Sequence, residues 1–187
     1  MTVIYFLKKR FEERFKKTEE YLNECLKDYF CMTGSNIDFA SITLKRTDSG
    51  KPYIDPNGAE ISVTHTDTLL LVAVSDACLG IDAERLDRTL RNSDSIVNKY
   101  FSVDEKNLYN KADSDDKKQV FLDIWVKKEA MVKFTGKGLS DLKNTDSCHA
   151  EGVFINIPYK DHVTYLYTKE NNKSYVLKSM DFFLNKT

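Results

Sequence analysis

No C-x-x-C pair and no zinc-type spacing relates the four cysteines, Cys25, Cys31, Cys78 and Cys148. That leaves them as buried or free thiols of a reducing cytoplasm, not a disulfide framework or a zinc centre. Charge of one sign is not in excess either. The 28 Lys and Arg face 29 Asp and Glu, a formal net charge of −1, which argues against a dedicated nucleic-acid binder and allows only a local basic patch. No apolar run approaches the length that spans a bilayer. The amino-terminal run Val3–Leu7 is too short for a signal peptide, and charge follows it instead of preceding it. These absences leave a cytoplasmic protein of one or two small domains, with neither membrane nor nucleic acid as partner. The 187 residues, 41% hydrophobic and 30% charged, suit that class.

What is present centres on Phe121–Leu139. Phe121, Ile124, Trp125, Met131, Val132 and Leu139 recur at three- and four-residue steps, which predicts an amphipathic helix, and Gly136 and Gly138 end it. Trp125, Glu129 and Lys133 are four apart and stand on one face. Taken alone, this stripe reads as an ordinary ion pair beside a core tryptophan. Leu79–Arg85 follows an apolar run and reads as a strand, on which Asp82 and Glu84 point to the same side. Two such carboxylates repel unless a cation or proton lies between them. A third from Glu129 would make an all-oxygen site suited to Mg²⁺, with nearby lysines for phosphate oxygens.

The remaining elements are plainer. Thr2–Leu7 reads as a strand and Lys9–Phe30 as a helix whose outer face carries Lys8, Lys9, Arg10, Arg14, Lys16 and Lys17, a solvated face or a basic rim. Asp48–Ile54 is a turn. Ile61–His65 and Leu69–Val74 read as strands, the second buried, with His65 at the turn between them. Ser75–Leu79 is the best domain boundary. Ser95–Phe101 and Val103–Lys111 read as short helices, Ser102 and Glu105 having capping-box spacing. Gly152–Ile157, His162–Thr168 and Ser174–Leu184 read as strands.

Gly80-Ile-Asp-Ala-Glu84, Trp125-Val-Lys-Lys-Glu-Ala-Met-Val-Lys133 and Gly136-Lys-Gly-Leu139, in this order, resemble the signature of the 4′-phosphopantetheinyl transferase superfamily. The resemblance implies an α+β fold of two similar α/β subdomains, 1–78 and 79–187, forming an intramolecular pseudo-dimer of the larger, surfactin-synthetase-activating type, and hence a monomer. It implies transfer of the phosphopantetheine arm of coenzyme A to a serine of an apo acyl or peptidyl carrier protein, with release of 3′,5′-ADP. Asp82, Glu84 and Glu129 would hold Mg²⁺ against the pyrophosphate, and Lys133 and Lys128 would contact phosphate oxygens. Gly50-Lys-Pro52 and Thr64-His-Thr66 match further family elements, so Lys51, Pro52, Thr64 and His65 would bind the 3′-phosphoadenosine end. Thr64 departs from the usual serine but keeps the hydroxyl. Asp82, Glu129 and Lys133 would be catalytic, with either Glu129 or a metal-bound water as base; Glu105 would be a helix cap or a supporting carboxylate. Arg85–Lys106 is the candidate surface for the carrier. A catalytically silent coenzyme A or carrier-protein binding module, and a Mg²⁺-dependent phosphohydrolase, are the alternatives.

Overall fold

The computed structural model describes residues 1–8, 18–35, 37–38, 41–56, 58–170 and 174–180. Strand β1 (Thr2–Lys8) and helix α1 (Thr18–Thr33) precede a hairpin of β2 (Thr43–Arg46) and β3 (Pro52–Asp55), then strands β4 (Glu60–His65), β5 (Leu69–Ser75) and β6 (Leu79–Arg85). Helices α2 (Ser93–Tyr100), α3 (Val103–Lys111) and α4 (Lys117–Thr135) follow, then a 3₁₀ segment at Leu139–Asn144 and strands β7 (Val153–Asn156), β8 (His162–Thr168) and β9 (Tyr175–Ser179). The architecture is mixed α+β, as the sequence implies.

The first sheet has the order β4-β5-β1-β9 and the second β6-β8-β7. Alternation along the strands sorts their side chains into separate cores. From β1 and β5, Val3, Tyr5, Leu7, Leu70, Val72 and Val74 meet Leu22, Cys25, Leu26, Tyr29 and Phe30, the buried stripe of α1. From the same two strands, Ile4, Leu69, Leu71 and Ala73 turn the other way, onto Leu79, Ile81, Ala83 and Leu166 of the second sheet. Strand β5 therefore has apolar neighbours on both faces, and all seven of its residues are buried, which is why it reads as a continuous apolar run. A third core gathers Val97, Phe101, Tyr109, Phe121, Leu122, Ile124, Val126 and Val163 around α4.

Local chemistry fixes the ends of elements. Ser102 and Glu105 form the expected capping box at the start of α3. Gly136, at φ 68°, closes α4 by donating its N–H to the Val132 carbonyl at 2.9 Å, a left-handed cap that side chains with a Cβ rarely adopt. Among the described residues no helix is long and apolar enough to cross a membrane.

Two expectations change. The first helix covers Thr18–Thr33, and residues 9–17, including Lys9, Arg10, Arg14, Lys16 and Lys17, lie outside the described residues. A division into 1–78 and 79–187 does not account for β9, which pairs in parallel with β1 and completes the first sheet. Local alternation marks a strand but carries no information on which sheet it joins. Among the described residues that strand spans Tyr175–Ser179; the rest of the expected Ser174–Leu184, from residue 181 on, lies outside the described residues.

Candidate active site

The site lies where β6 runs against α4. Gly80, Asp82 and Glu84 share the β6 face opposite Ile81 and Ala83, which are spent in the inter-sheet core. A Cβ at Gly80 would stand 2.0 Å from the Ala130 carbonyl oxygen and 2.4 Å from the Phe134 nitrogen. Only a glycine lets the strand and helix backbones meet this closely. With the backbones in contact, the carboxylates one and two steps along the strand fall beside the α4 stripe carrying Glu129 and Lys133.

Asp82 is almost fully buried, 6% exposed, and its Oδ1 accepts from the Lys133 ammonium at 2.7 Å and from the Thr64 hydroxyl at 2.8 Å. Glu84 pairs with Arg88. Burial raises the Glu84 carboxyl, Arg88 pulls it back and Asp82 raises it again. The Glu129 carboxyl is pushed up to about 7, first by burial and then by the charge of Asp82, against the pull of Lys133. Three carboxylates are thus close enough to disturb one another, with more negative charge than Lys133 and Arg88 relieve.

Among the described residues no three His, Cys, Asp or Glu side chains are drawn together as a ready cage for a metal. Asp82 is engaged by Lys133 and Thr64, and Glu84 by Arg88. The donor set nonetheless fits a hard divalent cation, being all carboxylate oxygen, and the raised Glu129 marks a deficit of positive charge there.

The strand bearing the site continues a match to known proteins. A model of the 4′-phosphopantetheinyl transferase superfamily matches residues 78–178, from the start of β6 through α4 to β9. The chain belongs to this superfamily. It is 29% identical over 143 residues to the 4′-phosphopantetheinyl transferase Sfp of Bacillus subtilis (strain 168), covering 74% of this chain and 62% of that protein. It is 25% identical over 118 residues to the 4′-phosphopantetheinyl transferase gsp of Aneurinibacillus migulanus, covering 63% and 48%. Identity to the 4′-phosphopantetheinyl transferase HetI of Nostoc sp. (strain PCC 7120) is 30% over 102 residues, 52% and 43%. The matched region thus covers about two-fifths to three-fifths of the length of these superfamily members.

Of the residues expected to form the transferase site, the structure brings Asp82, Glu84, Glu129 and Lys133 together and gives others different surroundings. Lys128 is wholly buried, its ammonium 2.9 Å from Glu105 and also bonded to the Thr145 carbonyl. One residue before Glu129 is a 100° step around the helix, enough to turn Lys128 into the core beside α3. Glu105 also accepts from the Ser102 and Ser147 N–H groups and the Ser147 hydroxyl, so it caps α3 and ties that helix to Lys128 and to the loop at Ser147. Lys51 donates to the Phe134 carbonyl at 3.1 Å and lies 3.5 Å from Glu60. Its charge is committed to the carboxyl end of α4, a favourable position for a cation. Pro52 is buried at the start of β3, and Thr64 is buried against Asp82. His65, at the end of β4, is exposed. Trp125 stacks on Phe121 with ring planes 8° apart and centroids 6.1 Å apart, its edge toward Tyr100; it anchors the third core.

Arg88 fell within the Arg85–Lys106 stretch expected to receive the carrier, without a partner at the site assigned to it, and Ser62 was not singled out from sequence. Ser62 accepts the Ile81 N–H at 3.0 Å. The signal for it was there: Ser62 and Thr64 are polar residues at alternate positions of a buried strand, and buried hydroxyls take partners.

Proposed function

We propose that this chain is a 4′-phosphopantetheinyl transferase that moves the phosphopantetheine arm of coenzyme A to a serine of an apo acyl or peptidyl carrier protein, requires Mg²⁺ and releases 3′,5′-ADP. The observation that carries this reading is the meeting of Asp82, Glu84, Glu129 and Lys133 at the contact of β6 with α4, all from one chain, which also favours a monomer. The relatives named as 4′-phosphopantetheinyl transferases support it.

The chemistry follows from the groups present. The reaction separates a pyrophosphate, so negative charge grows on the leaving phosphate. Lys133, already desolvated against Asp82, is the ammonium to meet it. Asp82, Glu84 and Glu129 would hold Mg²⁺, which when bound supplies Lewis-acid polarisation and orients the phosphates. A serine hydroxyl is a weak nucleophile at neutral pH and needs a base. Glu129 or a metal-bound water would accept that proton. The cavity beside the carboxylates, about 400 Å³ and lined by Thr66, Asp67, Glu84, Arg85, Asp87 and Arg88, borders the region proposed to receive the carrier.

Mass spectrometry of an apo acyl or peptidyl carrier protein incubated with the chain, coenzyme A and Mg²⁺ tests the proposal. Gain of one phosphopantetheine, abolished by a chelator, is the expected result. Coenzyme A cleavage without carrier modification would favour a hydrolase, and coenzyme A binding without either product, across several carriers, would favour a binding module.

A further inference from the structure

Strand β4 belongs to the first sheet and β6 to the second, and no backbone ladder joins them. Two side chains of β4 do. Ser62 accepts the Ile81 N–H at 3.0 Å, and two residues on, Thr64 donates to Asp82 Oδ1 at 2.8 Å. Both hydroxyls are buried, Ser62 2% exposed and Thr64 4%. They lie opposite Ile61 and Val63, which pack on the α1 core, so the alternation of β4 sends its apolar residues to one lobe and its hydroxyls to the other. Backbone pairing within the first sheet, Thr64 opposite Leu71, fixes where the Thr64 hydroxyl stands.

We propose that Thr64 is a positioning residue for the transferase site: by holding Oδ1 of Asp82 it fixes the rotation of that carboxylate and leaves Oδ2 for a divalent cation. This rests on reading Asp82 as a cation ligand. Lys133 binds the same oxygen at 2.7 Å. An ammonium on a long, flexible stem tolerates several carboxylate rotations, whereas a β-branched hydroxyl on a paired strand does not. The two donors differ in function accordingly. Lys133 supplies charge, and Thr64 supplies direction. Thr64 thus acts through Asp82, and the first sheet contributes to a site whose carboxylates and lysine come from β6 and α4. Groups that orient metal ligands in this way alter metal affinity by about 10- to 100-fold when removed.

The test compares Thr64→Val, which keeps shape and burial but removes the hydroxyl, with Thr64→Ser, which keeps the hydroxyl. Mn²⁺ binding to the full chain with coenzyme A is measured by calorimetry, alongside kcat and KM for coenzyme A, and folding is checked by thermal melting. The expected result is that T64V melts within a few degrees of the wild type, binds Mn²⁺ about tenfold or more weakly and loses kcat with KM for coenzyme A little changed. T64S recovers both. Wild-type Mn²⁺ affinity in T64V, or equal losses in T64V and T64S, would overturn the positioning role alone. Absence of Mn²⁺ binding in the wild type would instead overturn the cation-site reading and this inference with it.

Discussion

The Lys133 ammonium lies 2.7 Å from Oδ1 of Asp82, joining residues 51 apart in sequence at the contact of α4 with β6. Both partners are largely shielded, with side-chain exposures of 27% and 9%, so the pair is stronger than a surface ion pair. Lys133→Ala removes the ammonium proposed to face the leaving phosphate. We expect kcat to fall by about 10²–10³ while the dissociation constant of coenzyme A changes far less, because the lost interaction strengthens as charge develops. Steady-state kinetics and calorimetric binding separate the two; an unchanged kcat would sink the role.

Asp82→Ala and Glu129→Ala are expected to abolish carrier modification without unfolding the chain. Glu129→Ala removes a desolvated carboxyl repelled by Asp82, so its melting temperature should hold or rise, whereas Asp82→Ala leaves Lys133 and Thr64 without their acceptor and should melt lower while staying folded. Mass spectrometry of the carrier and circular dichroism decide the matter. Full transfer by either variant with Mg²⁺ present would contradict the assignment.

The Glu129 carboxyl gives a pH dependence of known sign. Its ordinary value of 4.5 is raised to about 7 by burial and by Asp82. Below about 4.5 it is protonated folded and unfolded, and makes no contribution. Between 4.5 and 7 the unfolded chain ionises while the folded chain keeps its proton, so stability falls as pH rises, and the penalty is complete above 7. The loss is at most about 3 kcal/mol. Urea unfolding in the presence of a chelator, at pH 5 and pH 8, should show the wild type losing more stability than Glu129→Gln over that range. Added Mg²⁺ should restore stability at pH 8 in the wild type and not in the variant.

Gly80→Ala is the sharpest structural test. The new methyl would meet Ala130 and Phe134 backbone atoms at 2.0 and 2.4 Å, which no side-chain adjustment relieves. Helix α4 must then move off β6. A destabilisation of about 3 kcal/mol or more, read by urea unfolding, is expected, together with loss of transfer because Glu129 and Lys133 leave with the helix.

The buried Lys128–Glu105 pair, both side chains 0% exposed, calls for a paired test. Lys128→Met alone strands the Glu105 charge and should cost about 3–5 kcal/mol, whereas Lys128→Met with Glu105→Gln, which removes that charge and keeps an acceptor for Ser102 and Ser147, should recover much of it. A single variant as stable as the wild type would refute the coupling.

The strands of both sheets, the capping box at Ser102 and the glycine end of α4 were legible from sequence because each depends on residues within a few positions of one another. The Asp82, Glu84, Glu129 and Lys133 set was legible for the same reason, as two short periodic stretches with a family resemblance. What was hidden depends on long-range contacts. The contact of Lys51 with the Phe134 carbonyl, 83 residues away, was not legible from the Gly-Lys-Pro turn. The residue step from Glu129 to Lys128 separates the site from the core, yet nothing in the spacing says which face the neighbouring α3 covers. Thr64 was assigned to the coenzyme because its partner on β6 was not visible.

Strand β9 adds a consequence for the order in which the molecule assembles. Thr2 pairs with Tyr175 and Phe6 with Ser179, and Met180, wholly buried, donates its N–H to Phe6 at 2.8 Å and packs against Cys25. During synthesis on the ribosome the first sheet therefore waits for the last of the described strands, with one side of β1 unzipped through the emergence of every helix. Closing so long a loop is slow, and an open strand edge invites pairing with other chains in the interval. The nascent chain's exposure to misassembly thus depends on the last of the described strands, far in sequence from the candidate site on β6 and α4.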